Sequence, residues 1–348
     1  MTKIFLGDSG LALQAILEAA FSRCLTNYTP NTSFEHWCDG FKGKLIVIAF
    51  CKVQIVQGEL NDGETIAREV SDADVVVHLA AAGNLKSVET IHKALSSEAA
   101  AKPVHWIQLS GASVLAAAEL ADKTHCPGEA SDIVFNDGPA GIEELRSFIQ
   151  KHPSRVVDNY IIKVGESEPR INTALVFPPT IYGRGLGPVN QRSVQIPSLA
   201  KATLDRQRGV QVGKGLNRWG NLHIEDVSRL ILRLVEKAAE VKSEEQVWNP
   251  NELYLAGVGE TSFGEIAQLI ATAAAEKGLI PTDKVDVIDP EEADSLLLYG
   301  TAIYGTNAHS EAIRGKEVLG WVPAGERLED EIPKAVAREA SVNQRNSP

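Results

Sequence analysis

Short β-branched runs alternate with helix-type segments through the first half of the chain, and this alternation restricts the possible folds more than any other feature. The strand-like runs are Lys3–Leu6, Val53–Val56, Val75–Leu79, Val104–Leu109 and Thr173–Phe177. Segments with helical spacing lie between them, at Leu11–Ser22 and Ser87–Ala101. A single run could equally be a piece of buried helix, but the regular alternation favours strands. The pattern predicts an α/β fold with a doubly wound parallel sheet.

One stretch interrupts this pattern. Cys24–Lys44 has no readable periodicity where a second strand is expected. Leu45–Phe50 resembles a strand, but only Cys51 and Lys52 separate it from the next strand-like run. Two residues cannot hold the crossover helix that joins parallel strands. Residues 24–52 are therefore either a genuine excursion of the fold or an error in the gene model.

Chain length and charge restrict the number of domains and the partners. At roughly 150 residues per domain, a chain of 348 residues predicts about two domains. Lys and Arg number 34 against 46 Asp and Glu, and the net charge of −12 argues against binding nucleic acid or an anionic membrane. The four cysteines have no metal spacing, and from the absence of a signal-peptide pattern and of a long apolar segment we expect neither a signal peptide nor a membrane span. We expect a cytoplasmic protein that binds a small molecule and no metal; a homodimer is compatible with these features.

The second half of the chain has a more helical pattern. Helical spacing occurs at Asn221–Lys237, Ser262–Lys277 and Arg327–Glu339. Ser262 and Glu265 have the spacing of a capping box, and Gly278 stands where a glycine ends a helix.

A glycine turn follows the first predicted strand. Gly7-Asp8-Ser9-Gly10 lies between that strand and the predicted helix Leu11–Ser22. Glycines in this position let the backbone approach a pyrophosphate, whose charge is met by amides at the helix N-terminus.

Six further segments resemble, in order, the motifs of one enzyme superfamily. They are Gly58–Asp62, Val75–Ala81, Trp106–Gly111, Pro178–Gly183, His223–Val227 and Leu319–Pro323. Together they resemble the extended short-chain dehydrogenase/reductase superfamily, and within it the NAD-dependent epimerase/dehydratase-like proteins of fungal type.

The resemblance implies a Rossmann-type domain that binds NAD or NADP and a smaller C-terminal α/β domain that binds the substrate. The cofactor domain would comprise residues 1–165, with residues 173–182 and about 212–235 returning to it. The substrate domain would comprise mainly residues 166–340, and residues 341–348 would be a frayed tail.

The resemblance also assigns cofactor contacts. Gly7, Ser9, Gly10 and Leu11 would lie along the pyrophosphate. Glu59 and Leu60 would lie near the adenine, and Leu79, Ala80 and Ala81 beneath the adjoining ribose. Ser110 and Pro178 would flank the nicotinamide. Two departures stand out: Leu13 takes the place of the third family glycine, and no clear second strand supplies the residue that selects NAD or NADP.

The expected catalytic residues also depart from the family pattern, which pairs a Ser or Thr with Tyr-xxx-Lys. A lysine beside a tyrosine lowers the pKa of the phenol, so that the phenol can exchange a proton as hydride moves. No Tyr-xxx-Lys occurs in this chain. The nearest equivalents are Ser113, Tyr160 and Lys163, with packing against the sheet as the alternative role for Tyr160. Aligning on Asp158 instead would put Gln150 and Ser154 near the usual Tyr and Lys positions.

Substrate contacts are expected in and after the segment Pro178–Gly183. The resemblance places Tyr182, Arg184, Asn190 and Arg192 there, and the two arginines could bind an anionic group through bidentate hydrogen bonds. A solvated loop is the alternative interpretation. His223 is expected to anchor the hinge between the domains.

These features predict an NAD(P)-dependent oxidoreductase or epimerase-like enzyme that acts on a small carbonyl or hydroxyl compound. Two alternatives remain. One is a nucleotide-binding regulator or sensor without redox chemistry. The other is an isomerase or cyclase that keeps the fold with an altered Ser-Tyr-Lys set.

Overall fold

A computed structural model describes residues 3–7, 44–49, 52–97, 102–185, 191–240 and 246–346. The strands, in chain order, are β1 (Lys3–Gly7), β2 (Lys44–Ala49), β3 (Lys52–Gln57), β4 (Val75–His78), β5 (Val104–Leu109), β6 (Val134–Asn136), β7 (Ile171–Phe177), β8 (Thr180–Tyr182), β9 (Gly209–Val212), β10 (Arg218–His223), β11 (Leu253–Leu255), β12 (Gly259–Ser262), β13 (Val285–Ile288) and β14 (His309–Glu311).

The α-helices among the described residues are α1 (Gly63–Val70), α2 (Leu85–Leu95), α3 (Ala117–Ala121), α4 (Ile142–Gln150), α5 (Val156–Ser167), α6 (Gln195–Arg206), α7 (Ile224–Ala239), α8 (Phe263–Glu276), α9 (Pro290–Leu296), α10 (Gly300–Tyr304), α11 (Arg314–Glu317) and α12 (Leu328–Asn346). A short 3₁₀ turn, Ala112–Val114, follows strand β5.

Seven strands form the central sheet in the order β11-β7-β5-β4-β1-β2-β3. The pairs from β11 to β1 are all parallel. Strand β4 and most of β5 are buried, and their Val and Ile side chains belong to the hydrophobic core. The predicted α/β fold with a parallel central sheet is therefore confirmed. Strand β11 joins the same sheet, which the sequence pattern does not predict.

The parallel pairing does not extend to the other edge of this sheet. Strand β2 is antiparallel to both β1 and β3. Since only two residues link β2 to β3, the chain can reverse there but cannot make the crossover that a parallel pair needs. The predicted helix Leu11–Ser22, and nearly all of Cys24–Lys44, lie outside the described residues.

Two helices pack near the centre of the sheet. Helix α5 packs on β7 and beside α2, and α7 packs on β4 and β5. Helix α7 begins three residues later than its spacing predicts, because the residues before it form strand β10. The side chain of His223 accepts a hydrogen bond from the backbone of Glu225 and caps this helix.

The other described strands form three smaller sheets, in the orders β12-β10-β8, β13-β9 and β14-β6. Helix α8 begins with the predicted capping box, in which the Ser262 hydroxyl accepts from the Glu265 amide at 3.2 Å and Glu265 accepts from the Ser262 amide at 3.0 Å. Gly278 follows this helix with φ of +65°, as a C-terminal cap requires. Helix α12 continues to Asn346, so most of the expected frayed tail is helical.

Candidate active site

The carboxyl ends of the parallel strands lie along one edge of the central sheet. The strand registers pair Gly7 with His78, His78 with Gln108, and Leu109 with Val176. The residues that follow these ends therefore share this edge. They are the predicted cofactor contacts Leu79, Ala80, Ala81, Ser110 and Pro178, beside Gly7 itself. Ser9, Gly10 and Leu11 lie outside the described residues.

Glu59 and Leu60 follow the outermost strand of the same edge. Gln57 pairs with Lys44 at the end of β3, and the neighbouring Leu45 pairs with Gly7. Glu59 is exposed, and its carbonyl accepts a hydrogen bond from the Asp62 amide at 2.9 Å in the turn before α1. The predicted adenine contacts thus lie two strands away from Gly7.

A buried hydrogen-bond network supports the end of β4. Nδ1 of His78 lies 2.9 Å from Oε1 of Gln108, and its Nε2 lies 3.3 Å from the Ser87 hydroxyl. Burial lowers the pKa of His78, partly offset by the hydrogen bond with Gln108. The neutral imidazole therefore ties β4 to β5 and to helix α2.

A compact polar cluster stands where β5 ends. The Ser110 hydroxyl donates to Oδ1 of Asp158 at 2.5 Å, and Nε of Arg155 donates to Oδ2 at 2.8 Å. The other two guanidinium nitrogens of Arg155 lie 3.2 Å from the Ser113 hydroxyl and 3.4 Å from the Ser110 hydroxyl. The Arg155 guanidinium therefore contacts both serine hydroxyls, and the Asp158 carboxylate accepts a hydrogen bond from Ser110.

Local backbone structure positions each member of this cluster. The Ser110 amide donates to the Val176 carbonyl at 2.8 Å, and the Ala112 amide donates to the Pro178 carbonyl at 2.9 Å. These bonds extend the pairing of β5 with β7 beyond the strand ends. Ser113 lies in the 3₁₀ turn that follows. Arg155 and Asp158 stand three residues apart at the start of α5, a spacing that places them on one side of the helix.

Burial controls the protonation of Asp158. Its carboxyl group is 2% exposed, and burial raises its pKa, partly offset by the Arg155 charge and the Ser110 hydrogen bond. A buried carboxyl group with one oxygen bonded to a serine hydroxyl can hold or release a proton at that oxygen.

The structure does not bring Tyr160 or Lys163 to this cluster. Tyr160 follows Asp158 by two residues, which turns its side chain about 200° around the helix. Its phenol oxygen lies 2.8 Å from Nδ1 of His92, and burial raises the pKa of the phenol. Lys163 is exposed and comes three residues after Tyr160, on the same side of α5. Of the three expected catalytic residues, only Ser113 joins the cluster.

The expected substrate residues lie at a separate cleft of about 550 Å³. Tyr182 is buried there and donates to the Glu326 carbonyl at 2.7 Å, and burial raises the pKa of its phenol. Arg184 donates to Oε1 of Gln191 at 2.9 and 2.6 Å. Arg192 binds Glu339 bidentately at 2.8 and 3.1 Å. Asn190 lies outside the described residues.

Two functional candidates, Arg155 and Asp158, were not expected as site residues. The available signal was an Arg and an Asp three residues apart, in the same segment as Tyr160 and Lys163. The pattern predicts an ion pair between them, but only the packed structure shows that the pair meets Ser110 and Ser113.

Among the residues that the structure describes, no group of three or more His, Cys, Asp or Glu side chains is arranged to hold a metal ion. Within the same residues, no helix is both long and apolar enough to cross a membrane.

One known protein is similar in sequence to this chain over most of the length of both proteins. The chain is 31% identical to the oxidase ucsJ of an Acremonium species over 308 residues, which are 86% of this chain and 88% of that protein. This chain belongs to the family of that oxidase. No protein-family model matches this chain.

Solved structures of enzymes with bound NAD share the fold of this chain. DesIV, a dTDP-glucose 4,6-dehydratase from Streptomyces venezuelae solved with NAD, is 16% identical and superposes with a TM-score of 0.55 over 83% of this chain and 80% of its own. A UDP-glucuronic acid 4-epimerase from Bacillus cereus, also solved with NAD, is 13% identical, with a TM-score of 0.53 over 82% and 81%. At these identities the likeness shows the fold alone.

Proposed function

We propose that this chain is an NAD- or NADP-dependent oxidoreductase or epimerase-like enzyme that acts on a small carbonyl or hydroxyl compound. The observation that carries the proposal is the polar cluster of Ser110, Ser113, Arg155 and Asp158 at the end of β5. In open α/β sheets, ligands bind outside the carboxyl ends of the strands, where this cluster lies. The oxidase in the same family and the NAD-bound enzymes with the same fold support the assignment.

The described residues at this edge fit a dinucleotide. Leu79 and Ala80 are buried, the chain bends at Ala80, and Ala81 has φ of +43°, so the backbone turns away at the end of β4. Apolar and small residues here suit the sugar and ring faces of a dinucleotide. Ser110 and Pro178 would hold the nicotinamide end. When bound, the nicotinamide would exchange hydride with a carbon of the substrate.

The packing supports the proposed division of the chain. Residues 1–165, together with residues 173–182 and about 212–235, would form the cofactor domain. In agreement with this, β7 lies in the central sheet and α7 packs on β4 and β5. Residues 166–340 would supply most of the substrate site.

Three arginines and two glutamates line the cleft, and two of the three guanidiniums bond to those glutamates. Arg192 already binds Glu339 with the bidentate geometry that an anionic group would need. The guanidinium of Arg338, another lining residue, is bonded to Glu331. Arg184 bonds to the neutral Gln191, so we propose that Arg184 and Tyr182 contact a polar group of the compound away from its reacting carbon, which would lie at Ser110.

The first test is cofactor binding by the full chain. NADH and NADPH are titrated separately while nicotinamide fluorescence is followed, and ADP-ribose is then added as a competitor. We expect one of the two dinucleotides to bind and ADP-ribose to displace it. Binding of neither would overturn the proposal.

The second test is turnover. NADH or NADPH oxidation is followed with a panel of neutral aldehydes and ketones, and reduction of the oxidised cofactor with the matching alcohols. We expect turnover with at least one compound. Cofactor binding without turnover by any compound would favour the nucleotide-binding regulator or the non-redox isomerase instead.

A further inference from the structure

We propose that Ser110 and Asp158 carry the proton during this reaction, with Arg155 as the residue that positions both. This inference rests on the proposed function. It assigns to this chain a proton-transfer set that takes the place of the absent Tyr-xxx-Lys pair. Two hydroxyls, one carboxylate and one guanidinium form the set, and all four side chains lie where β5 and its following turn meet the start of α5.

Ser110 is the member placed to contact a substrate oxygen. It directly follows the last residue of β5, and it stands beside Pro178 on the sheet edge. Its own proton points to Oδ1 of Asp158 at 2.5 Å. A serine oxygen that donates its proton in this way keeps two lone pairs, of which one faces the Arg155 nitrogen at 3.4 Å and the other can accept a further hydrogen bond. A substrate hydroxyl is the donor that such an oxygen accepts.

Asp158 is the member that can store the proton. Both of its oxygens are bonded, Oδ1 to Ser110 and Oδ2 to Arg155, so its orientation is fixed. Burial raises the pKa of its carboxyl group, which brings the group nearer to neutral pH. A general base works best when its pKa lies near the working pH.

Arg155 acts through the other members. Its Nε bonds Asp158, and its two terminal nitrogens reach the two serine hydroxyls. The guanidinium is planar and always charged, so it offers these donors in a fixed arrangement. Its charge favours the ionised form of Asp158 before the reaction and keeps the carboxylate next to Ser110.

In the oxidative direction, the protons and electrons balance. The substrate O–H bond breaks and its proton moves to the Ser110 oxygen, while the Ser110 proton moves to Oδ1 of Asp158. When bound, an oxidised nicotinamide would take the hydride from the substrate carbon, which would become a carbonyl carbon. Asp158 ends neutral, and Ser110 ends as a hydroxyl again. In the reductive direction each transfer is reversed.

Within the described part of the chain, Asp158 forms an ion pair with Arg155. Strand β7 carries no charged side chain. The charged or titratable side chains on the two helices packed against α5 are Lys86, Glu89, His92 and Lys93 on α2, and Glu143, Glu144 and Arg146 on α4. Among the described residues, Arg155 is the one whose charge acts on the pKa of Asp158. The pH dependence of the reaction should therefore follow this pair.

The alternative is that these four residues only fasten α5 to the sheet. Asp137 offers a matched control, because it is also a buried aspartate whose pKa is raised by burial. It accepts hydrogen bonds from the backbone amides of Leu255, Ile313 and Arg314, away from the cluster. Replacing it should lower stability without changing the pH dependence of turnover.

The test compares Asp158→Asn, Ser110→Ala and Asp137→Asn, using the cofactor and the panel compound that the wild type turns over. Cofactor dissociation constants, unfolding midpoints and the pH profile of kcat/KM are measured for each. We expect kcat to fall by about 10²-fold or more in the first two variants, with cofactor affinity kept, as is usual for loss of general acid–base catalysis. Ser110→Thr, which keeps the hydroxyl, should recover part of the lost rate.

A substrate-free measurement follows the proton itself. Infrared difference spectra of wild type and Asp158→Asn, recorded across pH, report the carboxyl group of Asp158. We expect its titration midpoint to match the acidic limb of the kcat/KM profile, and we expect that limb to be lost in Asp158→Asn and kept in Asp137→Asn.

The outcomes separate the two proposals. If the wild type binds no cofactor or turns over no compound, the proposed function fails and this inference fails with it. If the wild type is active and Asp158→Asn or Ser110→Ala keeps the wild-type rate and pH profile, this inference alone is overturned. Equal loss of activity and of the acidic limb in Asp137→Asn would also overturn it, since it would indicate a structural effect.

Discussion

The phenol oxygen of Tyr160 lies 2.8 Å from Nδ1 of His92, on the side of helix α5 that turns away from Asp158. The two aromatic rings meet edge to face, with centroids 5.5 Å apart. Nε2 of the same histidine lies 3.6 Å from Glu168. Tyr160 therefore joins α5 to α2, whereas Asp158 joins α5 to the end of β5.

Tyr160→Phe should keep turnover within about 3-fold of wild type, because the phenol lies outside the polar cluster. The variant should lose about 1 kcal/mol of unfolding free energy, the usual effect of removing one hydrogen bond. Steady-state kinetics and urea denaturation measure the two quantities. A loss of turnover near 10²-fold with unchanged cofactor binding would instead restore Tyr160 as the catalytic acid.

The central sheet was predictable because its signals are local. Val75–Leu79 and Val104–Leu109 are short runs in which apolar residues predominate, and such runs form the buried parallel strands β4 and β5. The capping box of Ser262 and Glu265 was predictable for the same reason. The antiparallel pairing of β2 with β3 follows from their two-residue link, but its antiparallel pairing with β1 was not predictable, since it depends on the connection before β2, which lies in the stretch without periodicity.

The site was only partly predictable. Residues after the parallel strands share one edge by topology, so Leu79, Ser110 and Pro178 could be placed from the sequence. Which residues of α5 face that edge depends on how the helix is rotated against the sheet. A missing Tyr-xxx-Lys removes the usual marker of that rotation, and Asp158 was therefore not expected in the site.

His105 should make the protein less stable in mild acid. Burial lowers the pKa of this histidine to about 4, partly offset by Asp74, and its ring packs against Trp248 with centroids 4.5 Å apart. Because the unfolded chain binds a proton near pH 6.5 and the folded one near pH 4, stability should fall as the pH falls between these values. The full effect is up to about 3 kcal/mol, since each pKa unit corresponds to about 1.4 kcal/mol.

Urea denaturation of wild type and His105→Gln at several pH values between 4 and 8 checks this. Glutamine keeps an acceptor for Asn172, whose amide lies 3.3 Å from Nε2 of His105. The variant should lose less stability on acidification than wild type. His78, whose pKa is also lowered by burial, remains in both proteins, so the acid dependence should shrink without vanishing. Identical pH dependence in the two proteins would contradict the prediction.

The ion pair of Arg146 and Glu252 should be essential for stability. Glu252 is 1% exposed, and it accepts two hydrogen bonds from the guanidinium at 2.6 and 3.0 Å. Glu252→Gln leaves a buried guanidinium without its counter-charge and should cost about 3–5 kcal/mol of unfolding free energy. Glu129→Gln removes the partner of Lys214 in an exposed pair at 2.9 Å and should cost much less, since exposed ion pairs contribute little to stability. Chemical denaturation of both variants measures the difference, and equal losses would refute it.

Gly183 should tolerate alanine less well than Gly278 does, although both have positive φ, +89° and +65°. A Cβ atom at Gly183 would lie 2.5 Å from Nε2 of His223, whereas one at Gly278 would meet nothing within 4 Å. His223 is buried and caps helix α7, so moving its ring would also disturb that cap. We expect Gly278→Ala to cost about 1–2 kcal/mol from the left-handed backbone alone, and Gly183→Ala about 1–2 kcal/mol more. Unfolding midpoints of the two variants measure this difference, and a smaller loss for Gly183→Ala would show that the loop relaxes around the new methyl group.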